Sequence, residues 1–360
     1  MKIVLLNDTY SWYHWGCTGT SEGIRNELTA KGYELTFIPI TDVYQFSNTP
    51  SRIEDFDSLA FFETAQKTNR NIYKKIEDAD ILIMNGEGTI HHLNAATIAL
   101  LYIAYSSKKY LNKTVQIINH SAYPLYHDKQ YKILTENIYS TVYKTLDYVG
   151  IREHLSRQCM TNIGVKSNLT FDCLPLSLEQ KGLILPKTEK QNYIVLANSV
   201  SFPQDRIPDL VKTIKKLTKD NLQVKILTGA KANPAPDETK FMGWMQPYIN
   251  ELGWQEINAT SLIEWYQCIA NSRLIISGRF HHSIAAFFQN TPLILMASNT
   301  PKNRALTETF NIYPPIDYTD KAYNKKLLRL GQLLLNKPTP SDPEIINSLL
   351  ERAKLNFLNV

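Results

Sequence analysis

A short stretch of this sequence places an arginine and a histidine where a buried strand turns directly into a helix. Residues 274–277 are apolar or small and read as the strand, and apolar side chains recur at helical spacing after the turn. Arg279 and His281 therefore lie near free backbone N–H groups and the positive end of a helix dipole, which favour phosphate or carboxylate. We predict an anion site here, with His282 and Ser283 as further donor contacts. In the alternative interpretation, Arg279 pairs with a surface carboxylate and His281 caps the turn.

A second chemical feature is Glu87, a carboxylate with a glycine on either side, which follows a predicted strand at 81–84. The glycines remove bulk around the carboxylate, so it could be presented to a substrate as a base, an acid or a nucleophile. A hydrogen-bonded turn residue is the alternative. Two adjacent histidines, His91 and His92, come next in the loop. Adjacent side chains diverge, so one glutamate with two such histidines is weak evidence for a metal, and we predict no metal site.

Three further loops follow predicted strands. The first, 7–21, combines glycines and hydroxyls with aromatic rings, which suit a polar ligand and the flat face of a sugar, although packed aromatics are an alternative. Another, 119–124, is a polar turn that ordinary turn chemistry also explains. Arg152 follows the strand 148–151 and could face Arg279 across a cleft, where two guanidinium forks would suit a ligand with both carboxylate and phosphate. The predicted acceptor or loop contacts are Asn7, Asp8, Trp15, Thr18, His91, Asn119 and Tyr123.

The length of 360 residues exceeds what a single core usually supports, so we expect two domains. Hydrophobic residues make up 43% of the chain and charged residues 20%, which is ordinary for a soluble globular protein. The net charge of +5 comes without a long basic run, which argues for an acidic ligand rather than nucleic acid. Four widely spaced cysteines indicate neither a zinc site nor a disulfide framework.

Short apolar strands alternate with helical patterns along the chain, which is typical of an α/β protein with parallel sheets. A polar, proline-containing break at 183–190 separates two such series. We predict two doubly wound, Rossmann-like domains facing each other across a cleft: 1–182 on the acceptor side and 191–320 on the donor side. The remaining residues, 321–360, read as terminal helices that could pack back on the first domain. Ligands of such folds bind at the carboxyl ends of the strands.

The first apolar run is too short for the core of a signal peptide and leads directly into a predicted strand. No segment has the apolar length that crosses a bilayer. We therefore expect a cytoplasmic protein without a transmembrane segment, for which peripheral membrane association stays open.

Several of these segments together resemble the polysaccharide pyruvyl transferase family. They are Gly150–Glu153 with Ser156, Phe171-Asp172, the run from Ser277 to Ala286, and Asn290–Pro292. The resemblance extends from the first strand to Lys302. It implies a two-domain fold like that of glycosyltransferase B enzymes and transfer of a pyruvyl group from phosphoenolpyruvate to two hydroxyls of a sugar, forming a cyclic ketal. By position, Arg152, Arg279 and His281 match the family's basic donor-site residues, and no metal or organic cofactor is implied.

Two departures from the family pattern lie at the expected catalytic mouth. Asn85–Gly88 stands where the family often has a nearly all-glycine loop, and the first loop lacks a Gly-Asn-x-Gly-Asp pattern. Donor or acceptor could therefore differ. One alternative is a glycosyltransferase that uses a nucleotide-activated acidic sugar such as CMP-Kdo or CMP-sialic acid, and another is a non-catalytic glycan-binding protein.

The leading hypothesis is a transferase of bacterial-type surface polysaccharide with an anionic donor and a glycan or glycolipid acceptor. In it, His281 is the acid and Glu87 the base, while Arg152 and Arg279 hold carboxylate and phosphate. As a cation directed to the surface, Arg279 should be replaceable by alanine at a cost of about 1 kcal/mol or less in stability.

Overall fold

The computed structural model describes residues 1–358 except 88–89, 91–92, 124–127, 187–188, 200, 220–221 and 232–235. The chain divides into two compact units. Unit 1 comprises 1–11, 21–173 and 350–360, and unit 2 comprises 12–20 and 174–349. Among the described residues, no helix combines the length and the apolar character that a membrane span requires.

Unit 1 is built on a six-stranded parallel sheet with the strand order β2-β1-β3-β4-β5-β6. Val4 and Leu6 of β1, with alternate residues of β3, β4 and β5, face a core that the helices between residues 59 and 143 complete. This period of two is that of a strand with one face against a helical layer. The strands are β1 (Lys2–Asp8), β2 (Glu34–Pro39), β3 (Ile81–Asn85), β4 (Thr114–His120), β5 (Tyr148–Ile151) and β6 (Asn168–Leu169).

Unit 2 is built on a five-stranded parallel sheet with the order β11-β10-β7-β8-β9. Alternate residues of its strands, such as Ile194 and Leu196 of β7, form one core with apolar residues of α9, α10 and α14. These three helices therefore cover the same face of the sheet. The strands are β7 (Tyr193–Ala197), β8 (Gln223–Leu227), β9 (Gln255–Ile257), β10 (Leu274–Ser277) and β11 (Leu293–Leu295).

The helices connect these strands in the way that parallel sheets require. They are α1 (Trp15–Ala30), α2 (Ile40–Tyr44), α3 (Leu59–Thr68), α4 (Arg70–Glu77), α5 (Ala95–Lys109), α6 (Lys129–Tyr143), α7 (His154–Asn162), α8 (Leu174–Gln180), α9 (Ile207–Leu217), α10 (Pro236–Leu252), α11 (Leu262–Ala270), α12 (Phe280–Phe288), α13 (Lys302–Phe310), α14 (Tyr323–Asn336) and α15 (Pro343–Lys354). Short 3-10 helices lie at Ile53–Asp57, Gln204–Arg206 and Leu355–Phe357. The prediction of an α/β protein with two parallel, doubly wound sheets is confirmed.

One predicted element boundary is wrong. The sequence pattern treats residues 7–21 as a loop, but α1 already begins at Trp15. Its early turns contain Gly16 and Gly19, which are weak helix formers and suggest a loop. An ideal Cβ on Gly16 would lie 2.4 Å from the Cβ of His281, and one on Gly19 would lie 2.5 Å from the Tyr266 hydroxyl. The glycines are therefore explained by close packing, which overrides their low helix propensity.

Candidate functional site

The strand ends of unit 1 are shaped by two asparagines in the left-handed backbone conformation. Asn7 in β1 has φ 60° and Asn119 in β4 has φ 55°. The strand register shifts at both positions, so each strand bulges just before its end. Asn85, at the end of β3, accepts a hydrogen bond from each of these two side chains. Asn7 Nδ2 donates to the Asn85 carbonyl at 2.7 Å, and Asn119 Nδ2 donates to Asn85 Oδ1 at 3.1 Å. Three neighbouring strands thus end in one buried amide network.

Glu87 is hydrogen-bonded to this network and is only 3% exposed. Its backbone N–H donates to Asn85 Oδ1 at 3.2 Å, and its Oε2 accepts a hydrogen bond from the Thr9 hydroxyl at 3.0 Å. The residue is thus oriented from both ends, which suits either a catalytic carboxylate or a structural one. Gly88, Thr89 and the predicted contact His91, which follow in the sequence, lie outside the described residues.

His120 holds the turn that carries Glu87. Its Nδ1 lies 3.1 Å from the Gly86 carbonyl and its Nε2 lies 3.0 Å from the Tyr143 hydroxyl. Burial lowers the pKa of His120 to about 4, so its imidazole is neutral. Nδ1–H therefore donates to the Gly86 carbonyl, and Nε2 accepts a hydrogen bond from the Tyr143 hydroxyl. An ideal Cβ on Gly86 would approach the Cβ of His120 to 2.5 Å. This close approach explains the glycine before Glu87.

Arg152 lies at the end of β5 in a buried ionic network. Its guanidinium contacts Asp172 at 2.5 Å and Glu153 at 3.3 Å, and its Nε donates to the Ser121 hydroxyl. Burial by itself lowers the pKa of Arg152, but the carboxylates of Asp172, Glu153 and Glu87 outweigh it and raise the pKa. Two predicted site residues, Arg152 and Glu87, thus lie within electrostatic reach of each other. The donor role of Arg152 stays a prediction.

The remaining predicted contact residues in unit 1 are buried and interact with other residues of the protein. Asp8 is buried and forms an ion pair with Arg25. Asn119 also accepts the backbone N–H of Cys173 at 3.2 Å through its Oδ1. Tyr123 is buried, and that burial raises the pKa of its hydroxyl. Their contact with an acceptor stays a prediction.

In unit 2, Arg279 occupies the N-cap position of α12, one residue after Gly278 and the end of β10, at the strand-to-helix junction that the sequence predicts. The turn is held by Ser277, whose Oγ accepts the Arg279 N–H at 3.0 Å, and by Ser283, whose Oγ donates to the Arg279 carbonyl at 2.9 Å. Gly278 is needed in this turn because an ideal Cβ there would lie 2.2 Å from the Cβ of Ser199. The hydroxyl of Ser283 is thus directed at the backbone of the turn.

Arg279 forms an ion pair with a buried carboxylate at this turn. Glu238, in the first turn of α10, lies 3.0 Å from the Arg279 guanidinium. The same carboxylate accepts the backbone N–H groups of Gly229 and Ala230, each at 3.0 Å. The sequence-based alternative, in which Arg279 pairs with a carboxylate, is therefore correct about the pairing. It is wrong about the surface, since Glu238 is 3% exposed and Arg279 is 12% exposed.

Several basic side chains, Arg279 among them, lie near His14. Burial, and after it the charge of Arg279, lowers the pKa of His14 to about 3, and His281 and Lys302 act in the same direction. Arg279, His281 and Lys302 therefore all lie within electrostatic reach of His14, which is neutral at this pKa. Such a concentration of positive potential at the N-terminus of α12 favours an anionic ligand.

The segment before α1 is fastened to the loop after β8. Trp15 N–H donates to the Gly229 carbonyl at 2.8 Å, and Lys231 N–H donates to the Tyr13 carbonyl at 2.7 Å. The Trp15 indole also donates to the Ala259 carbonyl at 3.0 Å, so this predicted contact is anchored rather than loosely exposed. Thr18 is bound within the helix, since its hydroxyl donates to the His14 carbonyl at 3.2 Å.

The two histidines of α12 have different surroundings. His281 is partly exposed, and its Nε2 lies 3.5 Å from the Thr20 hydroxyl. His282 is buried, and its Nε2 accepts the indole N–H of Trp265 at 3.1 Å. Burial lowers the pKa of His282 well below its ordinary value, with Arg279 and His14 adding to the effect, so this ring is neutral. The partly exposed His281 is thus better suited to contact a ligand, and donor binding by His282 stays a prediction.

Sequence reasoning missed His14, Glu238 and Lys302. His14 lies in the aromatic loop that was singled out, but nothing local distinguishes it from its neighbours. Glu238 shows the weak signal of an acidic residue in the first turn of a helix. Lys302 begins α13 and lies near His14 and the Phe280 ring only because the chain returns there.

Comparison with known proteins identifies the family. The sequence model described as polysaccharide pyruvyl transferase matches residues 20–300. The chain belongs to the polysaccharide pyruvyl transferase family. The predicted resemblance and the prediction of a transferase are therefore confirmed. None of the curated proteins has a sequence that matches this member of the family.

Solved structures support the fold of this family member. UDP-GlcNAc 2-epimerase from Methanocaldococcus jannaschii is 12% identical with a TM-score of 0.59, and the match covers 99% of this chain and 98% of that chain. A putative UDP-N-acetylglucosamine 2-epimerase from Listeria monocytogenes is 11% identical with a TM-score of 0.60, covering 100% and 97%. A glycosyltransferase from Rickettsia africae ESF-5 is 14% identical with a TM-score of 0.51, covering 100% and 99%. At these identities the likeness concerns the fold alone, and it confirms the predicted glycosyltransferase B-like architecture.

Proposed function

We propose that this family member transfers a pyruvyl group from phosphoenolpyruvate to two hydroxyls of a sugar, in the cytoplasm, during synthesis of a surface polysaccharide such as capsule or lipopolysaccharide. The observation that carries the proposal is the basic cluster at the N-terminus of α12 in unit 2, formed by Arg279, His281 and Lys302 around the neutral His14, with Lys302 Nζ 5.5 Å from the Phe280 ring. Phosphoenolpyruvate is compact and carries both a carboxylate and a phosphate. Basic side chains beside helical N–H groups suit such a ligand.

The proposed reaction assigns an acid and a base. One acceptor hydroxyl adds to C2 of the enol while C3 receives a proton and becomes a methyl group. Phosphate then leaves, and the second hydroxyl adds to C2 and closes the ketal. The two hydroxyl protons balance the one gained by C3 and the one that leaves with phosphate. His281 is the proposed acid because a histidine can carry a proton near neutral pH, and Glu87 is the proposed base.

The basic residues would stabilise the charge that moves to the departing phosphate. Arg279 presents a planar fork of donors, and Lys302 supplies a mobile positive charge. Arg152 is proposed to contribute to the donor site from the end of β5. Its burial among Asp172, Glu153 and Ser121 supports an indirect electrostatic contribution better than direct contact.

Ligand-induced thermal stabilisation tests the donor. We expect phosphoenolpyruvate to raise the melting temperature, because a ligand at a hundredfold its dissociation constant adds about 2.7 kcal/mol to the folded state. Inorganic phosphate should be released only when a glycan acceptor is present. A response to CMP but not to phosphoenolpyruvate would instead indicate a nucleotide-activated acidic sugar, with UDP and GDP as comparison nucleotides. Glycan binding without any donor response would indicate a non-catalytic protein.

The Glu87→Gln variant tests the base. It keeps the shape and most hydrogen bonds of the side chain but removes the charge, so phosphate release should slow by about 10²- to 10⁴-fold. Stabilisation by phosphoenolpyruvate should persist. Glu63→Gln, at an exposed glutamate of α3, is the matched control and should keep the wild-type rate. Normal turnover by Glu87→Gln would reduce the Glu87 loop to a structural turn.

A further inference from the structure

Positive charge is concentrated on two helices of unit 2. Helices α9 and α14 together carry six basic residues and a single acidic residue, Asp209. The whole chain has a net charge of only +5. Much of the excess charge of the protein is therefore local, although the sequence shows no long basic run.

The lysines of α9 form a row. Their spacing of i, i+3, i+4 and i+7 places them on one side of a helix, and the opposite side is buried in the core of unit 2. All four are exposed: Lys212, Lys215, Lys216 and, just past the helix end, Lys219. Helix α14 lies beside α9, because Gly331 of α14 packs so closely on the core residue Leu217 of α9 that an ideal Cβ would lie 2.8 Å from its side chain.

The basic face is defined here as these four lysines with the exposed Lys325 and Arg329 of α14. It lies on the outer side of the helical layer that α9, α10 and α14 form over one face of the sheet. A groove of about 510 Å³ runs between α9 and α10, lined by the four lysines and by Val211, Tyr248 and Leu252. Of the described residues that line it, Glu251 is the one with a carboxylate. The groove thus combines apolar side chains with a rim of ammonium groups.

This combination fits the surface of an anionic bilayer. Lysine ammonium groups on flexible stems suit a fluid array of lipid phosphates, whereas tight binding of a single phosphate usually relies on rigid arginine forks. The apolar stems, Tyr248 and Leu252 suit the boundary between head groups and acyl chains. Leu333 of α14, 43% exposed, adds apolar surface beside the basic residues.

We propose that the basic face docks this protein on a membrane that contains anionic lipids, with the lysines of α9 against the lipid phosphates. The inference rests on the charge and packing of unit 2 and is independent of the identity of the donor. Docking of this kind would bring the enzyme to acceptors that are carried on lipids.

Vesicle co-sedimentation tests the proposal. The full chain should bind vesicles of phosphatidylglycerol and phosphatidylcholine, should not bind vesicles of phosphatidylcholine alone, and should be released by high salt. Lys215→Glu combined with Lys216→Glu should weaken binding to the anionic vesicles by about tenfold or more. Lys67→Glu with Lys166→Glu is the control, since it changes the net charge equally at exposed lysines of unit 1 and should bind like wild type.

The outcomes separate the possibilities. Equal binding by the two double variants would overturn the proposal, because net charge rather than the basic face would then be responsible. Equal binding to both kinds of vesicle, or binding to a soluble polyanion such as heparin without binding to vesicles, would also overturn it. If the charge reversal unfolds the protein, Lys215→Gln with Lys216→Gln gives a milder test, and a circular dichroism spectrum verifies the fold.

Discussion

At the scale of single residues, the predicted anion site contains an ion pair between Arg279 and Glu238. From sequence, Arg279 is a surface-directed cation whose removal costs little. In the structure it pairs with a buried carboxylate that also accepts two backbone N–H groups. Glu238 therefore orients the guanidinium and balances its charge before any ligand binds. An alanine at 279 would leave this carboxylate buried without its cation.

We predict that Arg279→Ala lowers the free energy of unfolding by roughly 2–4 kcal/mol, measured by urea denaturation, because it strands a buried charge. Combining it with Glu238→Gln should recover at least about 1 kcal/mol relative to Arg279→Ala alone, since the uncompensated charge disappears. Additive losses in the double variant would show that the two side chains are not coupled. Donor binding is better probed with Arg279→Lys, which keeps the charge and loses only the fork.

At the scale of elements, the C-terminal segment supports the strand ends of unit 1. Asn356, in the last 3-10 helix, accepts the Asn119 N–H at 2.9 Å and donates to the Phe171 carbonyl at 2.8 Å. An ideal Cβ on Gly150 would lie 2.9 Å from Oδ1 of Asn356. The segment 350–358 is therefore part of the structure that positions β4 and β5.

Replacement of Asn356 by alanine should destabilise the protein by about 2–4 kcal/mol, because a buried N–H and a buried carbonyl lose their partner. Asn71→Ala, at an exposed position of α4, is the control and should stay within about 0.5 kcal/mol of wild type. Urea denaturation measures both. Equal stability of the two variants would mean that the terminal segment does not support these strands.

For the whole molecule, buried neutral histidines make stability depend on pH. The pKa of His14 is lowered to about 3 and that of His120 to about 4, in each case mainly by burial, and burial also lowers that of His282. In the unfolded chain these imidazoles titrate near pH 6.5. Their contribution to stability is thus complete above that pH and is lost as the pH falls toward the folded-state values.

We therefore predict that the free energy of unfolding falls between about pH 6.5 and pH 4, by up to about 1.4 kcal/mol per pH unit for each histidine that stays neutral when folded. Urea denaturation over this range measures the slope. His120→Gln should reduce it by the share of one histidine, whereas His154→Gln, at an exposed residue of α7, should leave it unchanged. An unchanged slope in His120→Gln would contradict the neutral, buried state of this ring.

Several features of this protein follow from local sequence patterns. Apolar runs of strand length alternating with helical periodicity predicted both parallel sheets. A strand, a glycine and a helix in succession predicted that Arg279 stands at the start of a helix, immediately before α12, and flanking glycines singled out Glu87. These signals survive because strand alternation, helical periodicity and turn chemistry depend on residues only a few positions apart.

The tertiary structure decided which groups meet. Glu238 reaches Arg279, His14 is influenced by Lys302, and Asn356 binds Asn119, in each case from a distant part of the sequence. Packing also decided that residues 15–21 are helical, since Gly16 and Gly19 are required by the side chains against them. Burial, ion pairing and the pKa values that follow depend on the three-dimensional environment, and no local pattern contains that information.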